Sequence, residues 1–248
     1  MEHRNPTSEL IQNHRSIRRF KADPVPDEML ENIIRSAQWA PTSHNVQAYT
    51  IISVTDPDVR SSLEQWCGPQ HYVGSAPVFL VFTADFHKHD IISREQGTAF
   101  EMAESENVLV GAVDAALAAQ NAFITAKSYR LGGVMIGGIR NRPYDVARLL
   151  ELPTYTFPVM GMCLGFPEHL PGQKPRFPLS GVRHENKYEE QRIRGALPVF
   201  ETSTRDYYEN RPSNPKFESW AEQMATYLAA PRRPQMTAFL KDQGFTLK

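Results

Sequence analysis

Residues 107–129 restrict the fold of this chain more than any other stretch. They are alanine-rich and apolar around most of a helical circumference, the pattern of a helix enclosed by a core or by a second subunit. The most apolar part, 108–124, is interrupted by Asp114, Gln120 and Asn121, so it reads as a core helix and not a membrane span. A chain of 248 residues with 41% hydrophobic content can surround such a helix as one large domain or two small ones. Four apolar runs, the first rich in β-branched residues, predict strands at 49–54, 78–83, 134–136 and 159–164. Helical spacing predicts helices over 8–13, 27–39, 56–66 and 144–150, with a charged loop carrying His87 and His89 after the second strand. Beyond Leu164, prolines and charges mark a long surface crossing, then helices near 217–228 and 235–242. That tail lacks strong apolar periodicity and is expected to lie over the core or a partner subunit. Alternating helices and strands, taken alone, suggest a parallel doubly wound sheet.

The chemistry concentrates elsewhere. His14-Arg15-Ser16-Ile17-Arg18-Arg19-Phe20 gathers three arginines, a histidine and a hydroxyl into seven residues of a chain whose net charge is only -1. Guanidinium forks beside a hydroxyl are suited to a phosphate, because each fork donates paired charge-assisted hydrogen bonds. Ile17 and Phe20 suggest that the cluster is tethered to a core. The balanced total charge gives no general attraction to nucleic acid or to an anionic membrane. Alone, however, such a cluster is more commonly a solvated or salt-bridged helix terminus. Two other stretches could meet the same anion: Thr42-Ser43-His44-Asn45, and Lys174-Pro175-Arg176, which its proline stiffens. Gly137 and Gly138 close a predicted strand and permit close approach of a flat ring or a phosphate, but they form no dinucleotide fingerprint. Cys67 and Cys163 have neither partner spacing nor a nearby activating base, and His87 and His89 lack a third ligand, so no metal is expected. The first twenty residues contain no apolar leader core, and a soluble cytoplasmic protein is the expectation.

These motifs carry a resemblance. His14-Arg15-Ser16-Ile17-Arg18, Ala40-Pro41-Thr42-Ser43-His44-Asn45-Val46-Gln47, Gln70-His71-Tyr72-Val73, Ile136-Gly137-Gly138-Ile139-Arg140-Asn141, Gly161-Met162-Cys163-Leu164-Gly165 and Lys174-Pro175-Arg176 stand in the order and spacing of the nitroreductase superfamily. The chain most resembles the oxygen-insensitive, NADPH-dependent type A nitroreductases and flavin reductases. The similarity extends through His184-Glu185-Asn186 to Arg211-Pro212-Ser213-Asn214, so it spans roughly the whole length.

The resemblance implies an α+β fold: a three-layer α-β-α sandwich with a mixed, mainly antiparallel sheet, in an intertwined homodimer. It implies one domain over 1–248, with a core to about residue 165 and a C-terminal extension beyond. It further implies bound FMN contacted by His14, Arg15, Ser16, Arg18, Thr42, Ser43, Gln70, Met135, Ile136, Gly137, Gly138, Lys174 and Arg176. Arg15, Ser16, Lys174 and Arg176 would hold the phosphate or ribityl end. Arg18 would face the N1/C2-carbonyl edge of the ring, and the 135–138 backbone would line it. Arg140, Arg211 and Arg233 would serve NADPH or substrate, with Arg211 nearest the 2'-phosphate. NADPH, or NADH as a second donor, would then reduce nitroaromatics, quinones or free flavin by two-electron ping-pong hydride transfer through flavin N5, with no side chain acting covalently. A flavin-binding redox sensor and a supplier of reduced flavin to a partner remain open on the same residues. His44, Asn45 and Met135 depart from the family pattern at positions that bear on acceptor preference.

Overall fold

The computed structural model describes residues 5–211 and 217–247. In chain order the elements are α1 (Pro6–Gln12), α2 (Asp27–Gln38), β1 (Tyr49–Ser53), α3 (Pro57–Trp66), α4 (His71–Ser75), β2 (Val78–Asp85), α5 (His87–Gln96), α6 (Ser105–Ser128), β3 (Gly132–Ile136), α7 (Pro143–Leu149), β4 (Thr156–Gly165), α8 (Glu190–Asn210), α9 (Trp220–Leu228) and α10 (Met236–Asp242). They fall into two compact units, one reaching Pro171 and resuming at Arg233, the other covering Gly172–Arg232.

In the first unit the sheet order is β1-β2-β4-β3, and all three ladders are antiparallel. The parallel sheet suggested by alternation alone is not formed. Among the described residues, the one parallel pairing is the isolated bridge between Ser16 and Gly133.

Side-chain alternation on β2 builds two cores. Leu80, Phe82 and Ala84 enter a cluster with Ile33 and Ala37 of α2 and Ala115, Ala118, Ala119 and Ala122 of α6. Phe79 and Val81 face the other way, toward Leu63 of α3, Val73 of α4 and Val146 of α7. The three layers of the sandwich follow from that period of two. The alanines let α6 lie close against α2 and the sheet, as its sequence predicts. By length and composition alone α6 could cross a membrane, but its alanine face is packed in the core.

Two expectations are corrected. His87 and His89 lie in the first turn of α5 rather than in a loop. The surface crossing after Leu164 contains α8, a helix of 21 residues that holds Pro198 within it. In the second unit Phe200 of α8 packs edge-on to Phe177 and Trp220, with ring centroids 5.3 and 5.1 Å away. Glu201 of the same helix accepts from the Trp220 and Ala221 amides that open α9.

Candidate functional site

The basic heptad is pinned beside β3. The Ile17 amide donates to the Gly133 carbonyl at 2.9 Å, and Phe20 forms a second bridge with Pro167. Ile17 is buried over Gly132, where a Cβ would sit 2.4 Å from its side chain. Anchoring thus comes from Ile17 and Phe20, leaving the polar residues to turn outward. The His14 ring lies 5.4 Å from Phe123 of α6. Arg15 donates to Asn13, yet its Nε is buried with no hydrogen-bond partner among the described residues. Lys127, at the end of α6, lies near enough that Arg15, after burial itself, holds its ammonium below the ordinary lysine range. Two cations and an orphaned N–H beside Ser16 form a surround suited to an anion. Arg19 instead faces Glu168, at 3.8 Å on the surface.

The end of β3 gathers a second group. Arg18 lies 5.9 Å from the Tyr72 ring centroid, and the Tyr72 hydroxyl donates to Gln70. Gln70 Nε2 donates to the Cys67 carbonyl at 2.6 Å. Gly138 closes against this same loop: a Cβ there would be 2.1 Å from the Cys67 oxygen and 2.9 Å from Gln70 Nε2. Gly137 is different, since its missing Cβ would meet only the guanidinium tips of Arg140 (3.5 Å) and Arg233 (4.0 Å). Arg233 is steadied by donating to Asn141 at 3.0 Å, and Gln235 donates to the Asn141 carbonyl. Ile136 is buried and Met135 half-buried, so Ile136 has only its backbone to offer a ligand. Arg18, Gln70, Gly137, Gly138, Arg140 and Arg233 therefore share one neighbourhood, reached from Arg15 and Ser16 along the bridge to β3.

Thr42 and Ser43 belong to a different edge. They precede β1, while Gly137 follows β3, and these strands bound the sheet on opposite sides. Three strand spacings separate them, about 14 Å. Their turn contains three consecutive or near-consecutive left-handed residues, His44 (φ 48°), Asn45 (φ 57°) and Gln47 (φ 52°). Such backbone is sparsely populated by non-glycine residues and persists only where surrounding contacts enforce it.

In the second unit, Lys174 and Arg211 converge on one ring, 5.8 and 4.8 Å from the centroid of Tyr208. Arg176 folds back onto the Lys174 and Pro175 carbonyls. The motif Arg211-Pro212-Ser213-Asn214 continues outside the described residues after Arg211.

Tyr72, Lys127, Asp114 and Lys88 make contacts in or near these groups that their local sequence does not announce. Asp114 carried a signal, as a charge inside an apolar helix. A cavity of about 560 Å³ between α3 and α4, lined by Arg60, Glu64 and His71 among others, contains none of the expected site residues. No group of three or more potential metal ligands converges among the described residues.

The thiols are placed for packing. Burial pushes Cys67 up to about 12, and pushes Cys163 higher against the opposing Arg60 charge. Neither should react with a disulfide reagent at pH 8 until the protein unfolds. Because the folded state holds these protons more tightly than the unfolded chain, stability present below about pH 9 should fall as pH rises toward 12, measurable by denaturant titration.

Residues 11–166 match the model of the nitroreductase family, and 174–248 match that of the nitroreductase family, C-terminal domain. A Cr(VI) reductase of Pseudomonas sp. is 39% identical over 97% of this chain and 99% of its own. An NADPH-flavin oxidoreductase of Vibrio harveyi is 40% identical over 97% of this chain and 98% of its own. The structure of B. megaterium NfrA2 superposes with a TM-score of 0.95 at 35% identity, covering 99% of this chain and 100% of that one. Two family models that together span nearly the whole chain, and relatives of 39–40% identity along its length, show that the chain belongs to the nitroreductase family.

Proposed function

We propose that this protein is an FMN-dependent oxidoreductase that takes electrons from NADPH, with NADH as a second donor, and reduces nitroaromatics, quinones or free flavin in the cytoplasm. The observation that carries the reading is the buried Arg15 Nε, without a hydrogen-bond partner among the described residues, beside Ser16, which bridges to the same strand that ends at the open face of Gly137. Those features fit a phosphate and a flat ring respectively. Bound FMN supplies two-electron hydride chemistry at its N5.

Arg15 and Ser16, with His14 alongside, hold the phosphate and ribityl end, and Lys127 adds a second positive charge there. The resemblance gives Lys174 and Arg176 the same anion. Arg18 and Gln70 face the ring edge, and Arg18 stabilises negative charge developing there during reduction. Gly137 lets the backbone of 135–138 lie flat under the ring. Arg140 and Arg233 present charge at the open face, where donor and acceptor take turns, and the resemblance gives Arg211 the 2'-phosphate of NADPH. Protons come from water, so no side chain is required as acid or base.

Placement of Thr42 and Ser43 on the far edge supports a site shared by two copies of the chain, in which each copy lends its turn to the other. The face of α6 fits such a homodimer: Leu109, Val113 and Leu117, at four-residue spacing, are 60%, 53% and 38% exposed on a helix otherwise built for burial.

Purified protein should be yellow and should bleach with NADPH in the absence of acceptor. Colourless protein that neither binds added FMN nor oxidises NADPH overturns the reading, and retained FMN that neither donor reduces points to a sensor. Turnover on free FMN, a quinone and a nitroaromatic at equal NADPH separates the acceptor classes. Arg211→Ala should raise the KM for NADPH about tenfold or more, the loss of one charge-assisted contact, with little change for NADH. An equal effect on both donors sinks the 2'-phosphate assignment.

A further inference from the structure

The 42–47 turn is held by groups far away in sequence. Asp114, only 1% exposed at the middle of α6, accepts from the Ser43 amide through Oδ1 (3.3 Å) and from the Ala48 amide through Oδ2 (3.0 Å). From α5, Lys88 donates to the Gln47 and Tyr49 carbonyls at 3.1 and 2.9 Å, and His89 Nε2 lies 2.8 Å from the Val46 carbonyl. A carboxylate thus takes the amides on either side of the strained residues, while an ammonium and an imidazole take the carbonyls. Every one of these bonds joins the turn to a rigid helix. The arrangement is costly unless the turn must have one shape: a buried carboxylate needs its amides, and the left-handed residues need an external restraint.

We propose that Asp114 and Lys88 are positioning residues for flavin binding, fixing the 42–47 turn so that Thr42 and Ser43 meet the cofactor in one geometry. Neither touches the cofactor. The inference rests on the reading that this turn contacts FMN, and it adds how the turn is kept in shape. Asp114→Asn replaces one acceptor with an NH2 group opposed to a backbone N–H, and Lys88→Met removes both carbonyl contacts from a side chain that is already partly exposed.

The test reads two quantities on protein stripped of flavin and then titrated with FMN. Amide hydrogen exchange over 42–48 should accelerate at least tenfold in Asp114→Asn while exchange in the sheet is unchanged. The Kd for FMN should rise at least tenfold in Asp114→Asn and at least threefold in Lys88→Met. Saturating FMN should restore kcat with the KM for NADPH unaltered, and the unchanged exchange in the sheet, read without FMN, separates this from a general loss of stability. Ser43→Ala, which keeps the backbone amide, reports separately whether the turn touches FMN. If Ser43→Ala weakens FMN and the anchor variants do not, the positioning inference is wrong and the reading of the turn stands. If exchange accelerates but none of the three variants alters the Kd, the turn is not at the flavin and both fail. Unchanged exchange over 42–48 overturns the inference outright. Should Asp114→Asn fail to fold, Lys88→Met carries the same two measurements.

Discussion

Gly138→Ala should destabilise the protein by about 3 kcal/mol or more, at the upper end of overpacking effects, whereas Gly137→Ala should leave stability within about 0.5 kcal/mol. The two glycines are adjacent, and neither has a positive φ. Their difference lies wholly in what a methyl group meets. At Gly138 the methyl carbon would fall 2.1 Å from the Cys67 carbonyl oxygen and 2.9 Å from its carbon, so backbone and not a flexible side-chain end must move. Moving it also displaces Gln70, whose amide is bonded to that same carbonyl. At Gly137 only two arginine tips are near, both in ordinary contact. The Gly137 methyl would instead enter the space assigned to the flavin ring and should weaken FMN about tenfold. Melting of the flavin-free proteins separates the two, with a loss of about 6–12 °C expected for Gly138→Ala. An unchanged midpoint shows that the 67–70 loop yields freely, and unaltered FMN affinity in Gly137→Ala puts the ring elsewhere.

The same local physics decides what could be read from the sequence. β2 and β4 are buried on both faces, so their apolar runs announce strands whatever surrounds them. The alanines of α6 likewise mark a helix in close contact. In α8 only Ala196, Phe200 and Thr204 are buried, a stripe one residue wide, and Pro198 sits between them in the guise of a helix breaker. Strand direction was beyond periodicity, which reports a face and not a partner. The basic heptad was legible as charge, but its division among phosphate, ring edge and scaffold depended on the order of motifs. Asp114 and Lys88 act on backbone groups; Asp114 bonds amides 66 and 71 positions away, a relation that no local pattern encodes.

Arg18→Ala should slow reduction of the bound flavin on the order of 100-fold, with a much smaller effect on FMN affinity. The guanidinium is exposed and makes its ring contact with Tyr72, whose hydroxyl bonds to Gln70 beside Gly138. In the proposed reading it faces the ring edge, while Arg15 and Ser16, at the bridge to β3, face the phosphate. Binding of oxidised flavin asks little of a positive charge at that edge, because the ring is then neutral. A ring that gained negative charge on reduction would be stabilised by a fixed cation there, through an interaction stronger in the transition state than in the ground state. Arg18→Lys keeps the charge but loses the planar fork that lies 5.9 Å from the Tyr72 centroid, so it should recover part of the rate. Anaerobic stopped-flow reduction by NADPH, followed at the flavin absorbance, measures the step directly, and a titration with FMN gives the affinity. Lost FMN with an unchanged reduction rate in the loaded fraction would place Arg18 at the phosphate end. A potential shifted negative in Arg18→Ala, with the rate falling in proportion, is the outcome expected of a charge that acts on the ring and not on the fold.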